Sequence, residues 1–176
     1  SATECLLYLF KFLHTIKRGD YMDNIYSIIG QLPNELKSCF MVFDNVLLSN
    51  ITEIRLRINK PIIIYILDKP YFISKYDKLI NHYSDSVRYL SGDEFKFILD
   101  NICNNSYHTH INTMINGYVT DNYGSRVGIA GEAVYKDSAL TSVKNIESLN
   151  IRISHNIIDC SRNILNTLYL KSSPSI

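Results

Sequence analysis

The stretch that decides the fold is Ile51-Thr-Glu-Ile-Arg-Leu-Arg57, because here the hydrophobic pattern of the chain changes to a two-residue period. Aliphatic residues at positions 54, 56 and 58 alternate with polar residues at positions 55, 57 and 59. Side chains on a β-strand point alternately to its two faces, so one face is apolar and the other carries arginines. The pattern predicts a half-buried strand whose outer face is basic.

Two apolar runs follow this strand and predict a hairpin-rich antiparallel region. The β-branched run Ile62 to Ile66 is the first, and Tyr71 to Ile73 is a short second strand after a turn at Asp68-Lys69-Pro70. Further along the chain, Ser148 to Ser154 alternates in the same way and predicts another strand, after a loop near Lys136 to Ala139.

Helical periodicity predicts four helices outside these strands. They cover Ala2 to Ile16, Met22 to Gly30, residues 92–104 and Ile157 to Tyr169. Ser91 is a suitable N-cap for the third helix, and Asp93 and Glu94 lie in its first turn, where a helix favours negative charge.

These elements predict an α+β fold with a mostly antiparallel sheet of five to six strands. N-terminal helices precede the sheet, the helix over 92–104 packs on it, and a C-terminal helix leads out of it. Three segments are expected: 1–21 as an N-terminal helical extension, 22–155 as the α+β domain, and 156–176 as a C-terminal helix with a truncated linker.

Composition indicates a globular protein and excludes several classes of partner. Of 176 residues, 46% are hydrophobic and 20% are charged, which is typical of a folded domain rather than a disordered tail. The net charge of +1 supplies no general field for nucleic acid or an anionic membrane surface. Four cysteines without a C-x-x-C pair favour a reducing cytosol. The apolar stretch near the start is too short to cross a bilayer and lacks the features of a signal peptide.

A glycine-rich segment holds the most suggestive local motif. Four of the seven glycines lie between Gly117 and Gly131, which implies tight turns or close approach of another group. Within it, Gly124-Ser-Arg126-Val-Gly128 can present a guanidinium to a phosphate while the glycines leave room for the ligand. A twisted hairpin with an exposed arginine is the structural alternative.

Arginines on the predicted strands are the other candidates. Arg152 lies between two aliphatic residues and points to the polar face of its strand, where it meets a ligand, a neighbouring domain or solvent. Arg55 and Arg57 are interpreted as structural or interface charges.

Metal and nucleophile chemistry are weakly indicated. His108-Thr-His110 would share one face of a strand, but a third ligand is missing nearby. Nothing marks the Cys103 thiol as activated for attack with His108 as base. We therefore predict no metal site and no catalytic residue in this chain, which also lacks a Walker A motif and an RNP motif.

Four strings, taken in order, point to a family. They are Glu53-Ile-Arg55-Leu-Arg57 followed by Pro61, Gly117-Tyr-Val-Thr120, Gly124-Ser-Arg126-Val-Gly128-Ile-Ala-Gly131, and Ser148-Leu-Asn-Ile-Arg152-Ile-Ser154. Across about Met22 to Leu170 they closely resemble the N-terminal half of the stage III sporulation protein AA family, ATPases of endospore-forming bacteria. The family is similar in turn to the ring ATPases of type II and type IV secretion.

That resemblance implies a function for the whole protein. A Walker A motor domain is expected to follow Ile176, so this chain alone is not expected to be an enzyme. Arg126 and Arg152, with Gly124 and Gly128, would contact ATP with Mg that is bound mainly by the motor domain. The expected assembly is a homo-hexamer.

The family's setting implies a location and partners as well. The mother-cell cytoplasm is expected, with membrane association through stage III sporulation protein AB and other proteins of the channel to the forespore. Neither nucleic acid nor direct membrane insertion is expected. The alternative functions are a protein-interaction module that docks a membrane partner without contacting nucleotide and, ranked last because the net charge is small, an RNA-binding domain.

Overall fold

The computed structural model describes residues 24–121 and 125–153. Its helices are α1 (residues 24–30), α2 (Asn34–Met41), α3 (Asn45–Leu48), α4 (Gly92–Ile102) and α5 (Ile111–Met114), and Tyr107–His110 is a 3-10 turn. Its strands are β1 (Ile51–Arg57), β2 (Ile63–Ile66), β3 (Lys69–Ile73), β4 (Leu79–Ile80), β5 (Tyr118–Thr120), β6 (Arg126–Lys136) and β7 (Ala139–Arg152).

The seven strands form one antiparallel sheet in the order β4-β3-β2-β1-β7-β6-β5. The predicted α+β class and antiparallel sheet are therefore confirmed. The sheet has more strands than the five to six predicted. The sequence did not predict strand β4, because two residues are too few to show the alternating hydrophobic pattern of a strand.

The hydrophobic core lies on one face of the sheet. Ile54 of β1 stands opposite Ile64 of β2 and Ile151 of β7, and all three side chains are buried. They join one cluster with side chains of α1, α2 and α4, including Phe40 and Phe95. Alternation along β1 therefore sends its aliphatic residues into the core and its arginines to the other face, as predicted.

Helix α4 begins at Gly92, as the sequence predicted, because its N-cap residue Ser91 forms a capping box with Glu94. The Ser91 hydroxyl accepts a hydrogen bond from the backbone N–H of Glu94, and the Glu94 carboxylate accepts one from the backbone N–H of Ser91. The helix ends at Ile102, two residues earlier than predicted. Asn104 and Asn105 follow with positive φ, which a continuing helix does not allow.

The longest element is the hairpin of β6 and β7. The sequence indicated a strand only from Ser148 onward, whereas β7 begins at Ala139. The turn between the strands has positive φ at both Asp137 and Ser138, as in a type I′ hairpin. Two register shifts interrupt the ladder, and these irregularities mask the two-residue period.

Two local predictions need correction, while the one for the glycine-rich segment is confirmed at two glycines. The turn before β3 lies at Leu67 and Asp68, which have positive φ, so Lys69 and Pro70 already belong to β3. In the glycine-rich segment, Gly117 has the positive φ of a turn, and a Cβ on Gly131 would lie 2.6 Å from the Lys144 carbonyl oxygen, which is the expected close approach. His108 and His110 belong to a 3-10 turn and not to a strand.

The predicted helices at Ala2 to Ile16 and Ile157 to Tyr169 lie outside the described residues, as do segments 1–21 and 156–176. Among the helices of the described part, none has both the length and the apolar character needed to cross a membrane.

Candidate arginine site on the open sheet face

The face of the sheet opposite the core carries the candidate residues. Gly128 of β6 stands opposite Asn150 of β7, which stands opposite Arg55 of β1. In the neighbouring row Arg152 stands opposite Glu53. We call this surface the open face, and it comprises Glu53, Arg55, Arg57, Arg126, Gly128, Asn150 and Arg152.

Strand pairing brings Arg126 and Arg152 next to each other. Val127 of β6 pairs with Ile151 of β7, so one further step in this antiparallel register sets Arg126 across from Arg152. Residues directly opposite in such a ladder have Cβ atoms about 5 Å apart. The two side chains therefore leave the sheet from neighbouring positions on one face, from which both guanidinium groups can reach the same anion.

Arg152 is held only weakly by the protein. Its Nε lies 3.7 Å from Oε2 of Glu53, and 78% of its side chain is exposed. An exposed ion pair of this kind contributes about 1 kcal/mol or less. The Arg152 guanidinium can therefore reorient toward a ligand at little cost.

Arg126 is also exposed, and an aromatic ring supports it. Its guanidinium carbon lies 4.9 Å from the centroid of the Tyr118 ring on the neighbouring strand β5. A cation–π contact at an exposed site is worth about 0.5 to 1 kcal/mol. This contact favours a side-chain conformation in which Arg126 lies over β5. The N–H groups of its guanidinium stay available to hydrogen-bond acceptors.

Arg55 has a different environment, consistent with a structural charge. It forms an ion pair with Glu53 and donates a 2.8 Å hydrogen bond from Nη1 to the Tyr65 hydroxyl. Its guanidinium carbon lies 4.4 Å from the centroid of the Tyr65 ring. The hydrogen bond to Glu53 raises the pKa of Arg55. Arg55 and Arg152 thus share the carboxylate of Glu53, and with Arg126 nearby this part of the open face is positive.

Small side chains form the surface beside the two arginines. A Cβ on Gly128 would lie 3.6 Å from the Cβ of Asn150, an ordinary contact, so packing alone does not demand glycine there. Within the described ranges, the buried Oδ1 of Asn150 has no hydrogen-bond partner. Gly124, the fourth candidate, lies outside the described residues.

A groove of about 420 Å³ continues the open face toward the far end of the hairpin. Its lining includes the basic residues Arg57 and Lys60 and the acidic residues Glu132 and Glu147. Its charges are mixed, in contrast to the positive region around Arg126.

The sequence did not reveal a buried polar cluster that lies behind Arg126. Asp121 and Ser125 are only 7% and 8% exposed. The Asp121 carboxylate accepts hydrogen bonds from the Ser125 backbone N–H at 2.7 Å and from Gln31 Nε2 at 3.0 Å. The Ser125 hydroxyl lies 2.8 Å from Oδ1 of Asn24. No motif predicts this cluster, because Gln31 and Asp121 are 90 positions apart.

The histidine and cysteine candidates do not assemble a reactive site. In the part of the chain that the structure describes, no group of three His, Cys, Asp or Glu side chains could hold a metal ion. Burial, with a smaller contribution from Asp100, raises the pKa of Cys103 to about 11. A thiol with that pKa stays protonated near neutral pH and is a poor nucleophile.

Comparison with known proteins matches the chain to a sporulation family. The family model described as "Sporulation stage III, protein AA" matches residues 23–174. The stage III sporulation protein AA of Bacillus subtilis (strain 168) is 27% identical over 141 residues, which cover 80% of this chain and 42% of that relative. The chain therefore spans about two-fifths of the length of the curated relative. No solved structure matches it.

Proposed function

This chain belongs to the sporulation stage III protein AA family, and we propose that it is the N-terminal regulatory and assembly domain of a sporulation ATPase. The ATPase resembles those of secretion systems and energises or assembles the channel between mother cell and forespore. It works in the mother-cell cytoplasm as a homo-hexamer. Stage III sporulation protein AB and other channel proteins bring it to the membrane.

The observation that carries this proposal is the adjacency of Arg126 and Arg152 on the open face. Both side chains are exposed, and the carboxylate that Arg152 contacts, Glu53, is shared with Arg55. A guanidinium offers several N–H donors in a fixed fork that fits phosphate oxygens. Two such groups on neighbouring strands can bind the terminal phosphates of ATP with Mg, which a motor domain elsewhere in the full-length protein holds.

The proposed mechanism is nucleotide sensing by rigid-body movement. The ATP-bound motor domain attracts the two arginines, and the sheet closes on it. Loss of the terminal phosphate removes charge from the contact, and the sheet swings away. Domain closure around a ligand is a common way to convert a small chemical difference into motion. Arg126 and Arg152 lie on the sheet itself, so they would move with it as one unit.

The test is alanine substitution of Arg126 or Arg152 in the full-length protein, with ATP turnover and partner pull-down measured on the same preparations. We expect turnover to fall at least about tenfold, because each arginine stabilises phosphoryl charge, while partner binding is retained. Lys144→Ala is the charge-matched control, because this β7 lysine forms an exposed 3.5 Å pair with Glu132.

Unchanged turnover together with lost partner binding would contradict nucleotide sensing. That result would favour the second function, in which the open face docks a membrane partner and never contacts nucleotide. The positive charge and exposure of the open face are the observations that favour this second function.

A further inference from the structure

The buried cluster behind Arg126 links three separate elements of the fold to the start of β6. Asp121 follows β5, Ser125 precedes Arg126, and Gln31 directly follows α1. The Gln31 side chain donates to Asp121, while its backbone carbonyl accepts a 3.0 Å hydrogen bond from Asn101 of α4. A continuous set of hydrogen bonds thus runs from α4 through Gln31 and Asp121 to Ser125.

Asp121 joins the end of β5 to the start of β6 in two ways. Its backbone N–H donates to the Ser125 carbonyl at 3.0 Å, and its carboxylate accepts from the Ser125 N–H at 2.7 Å. Ser125 is therefore held on both its N–H and its carbonyl by one residue. Because Arg126 is the next residue, these bonds also fix where the Arg126 side chain leaves the backbone.

A buried polar cluster at this position lowers the stability of the fold relative to apolar packing. Buried polar groups destabilise a fold unless hydrogen bonds satisfy them, and apolar side chains fill a core with less penalty. In the described residues the buried Oε1 of Gln31 makes no hydrogen bond, so the cluster is not fully satisfied even as it stands. Its geometry is better explained by what it orients than by the stability that it contributes.

We propose that Gln31 and Asp121 are positioning residues, which hold the start of β6 against α1 and α4 and so aim Arg126 at the phosphates that contact the open face. This inference rests on the proposed function, because it assigns to the same arginine site a means of regulating its contact with nucleotide. A displacement of α1 or α4 would reach Arg126 through these two side chains. Partner binding at those helices could thereby alter the nucleotide response.

The first test measures the link itself, independently of nucleotide. Hydrogen exchange is followed in the full-length protein carrying Gln31→Met, which keeps the side-chain volume and removes the donor to Asp121. We expect exchange of the Ser125 amide to accelerate about fivefold, because its acceptor is no longer held in place. Exchange at Ile54 in β1 should stay unchanged. Unaltered exchange at Ser125 would overturn the proposal.

The second test measures the effect on Arg126. Gln31→Met should lower ATP turnover about five- to tenfold in the wild-type background and have no further effect in the Arg126→Ala background, because a misplaced group loses most of its contribution. An equal loss in both backgrounds would show a general effect on folding and would overturn the positioning role. If Arg126→Ala itself leaves turnover unchanged while exchange accelerates, the proposed function is wrong and only the structural link remains.

A conservative substitution separates positioning from folding. In Asp121→Asn the new amide oxygen can still accept from the Ser125 N–H, and its nitrogen can donate to Gln31 Oε1. We expect this variant to keep turnover within about threefold of wild type, whereas Asp121→Ala loses it like Gln31→Met. Equal losses in the asparagine and alanine variants would contradict the hydrogen-bond account.

Discussion

At the scale of single residues, Gly131 shows how a missing side chain allows two strands to pack closely beside the groove that Arg57 and Lys60 line. The β6–β7 register passes from Ala130 opposite Ser148 to Glu132 opposite Lys144, so three residues of β7 face Gly131 alone. A Cβ at Gly131 would lie 2.6 Å from the Lys144 carbonyl oxygen and 2.9 Å from the Ile146 Cα. Backbone atoms cannot yield as a flexible side chain does, so the bulge requires glycine.

Gly131→Ala should therefore destabilise the protein by about 1 to 3 kcal/mol, as overpacking of a tight site usually does. Urea unfolding measures the change. Gly128→Ala in the same strand is the matched control, since its added Cβ would come no nearer than 3.6 Å to any neighbour. Equal stability losses in the two variants would show that the cost comes from substituting any glycine in β6, and not from the bulge.

At the scale of secondary-structure elements, α4 combines a capping box with an ion pair. Glu94 accepts from the Ser91 backbone N–H at 2.9 Å, and its other oxygen lies 2.6 Å from Arg88 Nη2. Burial raises the pKa of Glu94, but the hydrogen bonds from Ser91 and the charge of Arg88 outweigh it, and the net effect is a pKa below the usual 4.5. The carboxylate is therefore more stable in the folded helix than in the unfolded chain.

Glu94→Gln preserves the capping geometry and removes this charge. A lowered folded pKa contributes stability above the unfolded pKa, and the contribution disappears as pH falls through the folded pKa. We expect the variant to be about 1 to 2 kcal/mol less stable than wild type at pH 7, with the difference narrowing below about pH 4.5. Urea unfolding at several pH values measures it. The control is Glu132→Gln, whose exposed pair with Lys144 should matter little.

At the scale of the whole molecule, one core ties the helices to the sheet. Cys39 of α2 and Cys103 at the end of α4 are both fully buried in the cluster that includes Ile54 and Ile151. Burial, with a hydrogen bond to Asp77, raises the pKa of Cys39 to about 11, and burial with a smaller effect of Asp100 does the same for Cys103. The reactivity of each thiol therefore indicates whether the core around it is closed to solvent.

Both thiols should resist alkylation at pH 8 in the folded protein and react when urea unfolds it, because neither accessible surface nor thiolate is available before then. Mass spectrometry of iodoacetamide-treated protein locates the label. Protection of Cys39 and Cys103 should be lost together across the unfolding transition. Rapid labelling of Cys103 alone in native buffer would mean that the end of α4 opens independently of the rest of the core.

The sequence by itself determined the α+β class, the start of α4 at Ser91 and the outward direction of Arg55 and Arg152. Each of these depends on neighbours within a few residues: a two-residue period sorts side chains between faces, and a capping box needs only positions 91 and 94. Tertiary structure alone decided that Arg126 stands across from Arg152, because strand pairing and two bulges set that register. It also decided that Gln31 meets Asp121 across 90 positions, since burial brings together side chains for which no local period or motif predicts a contact.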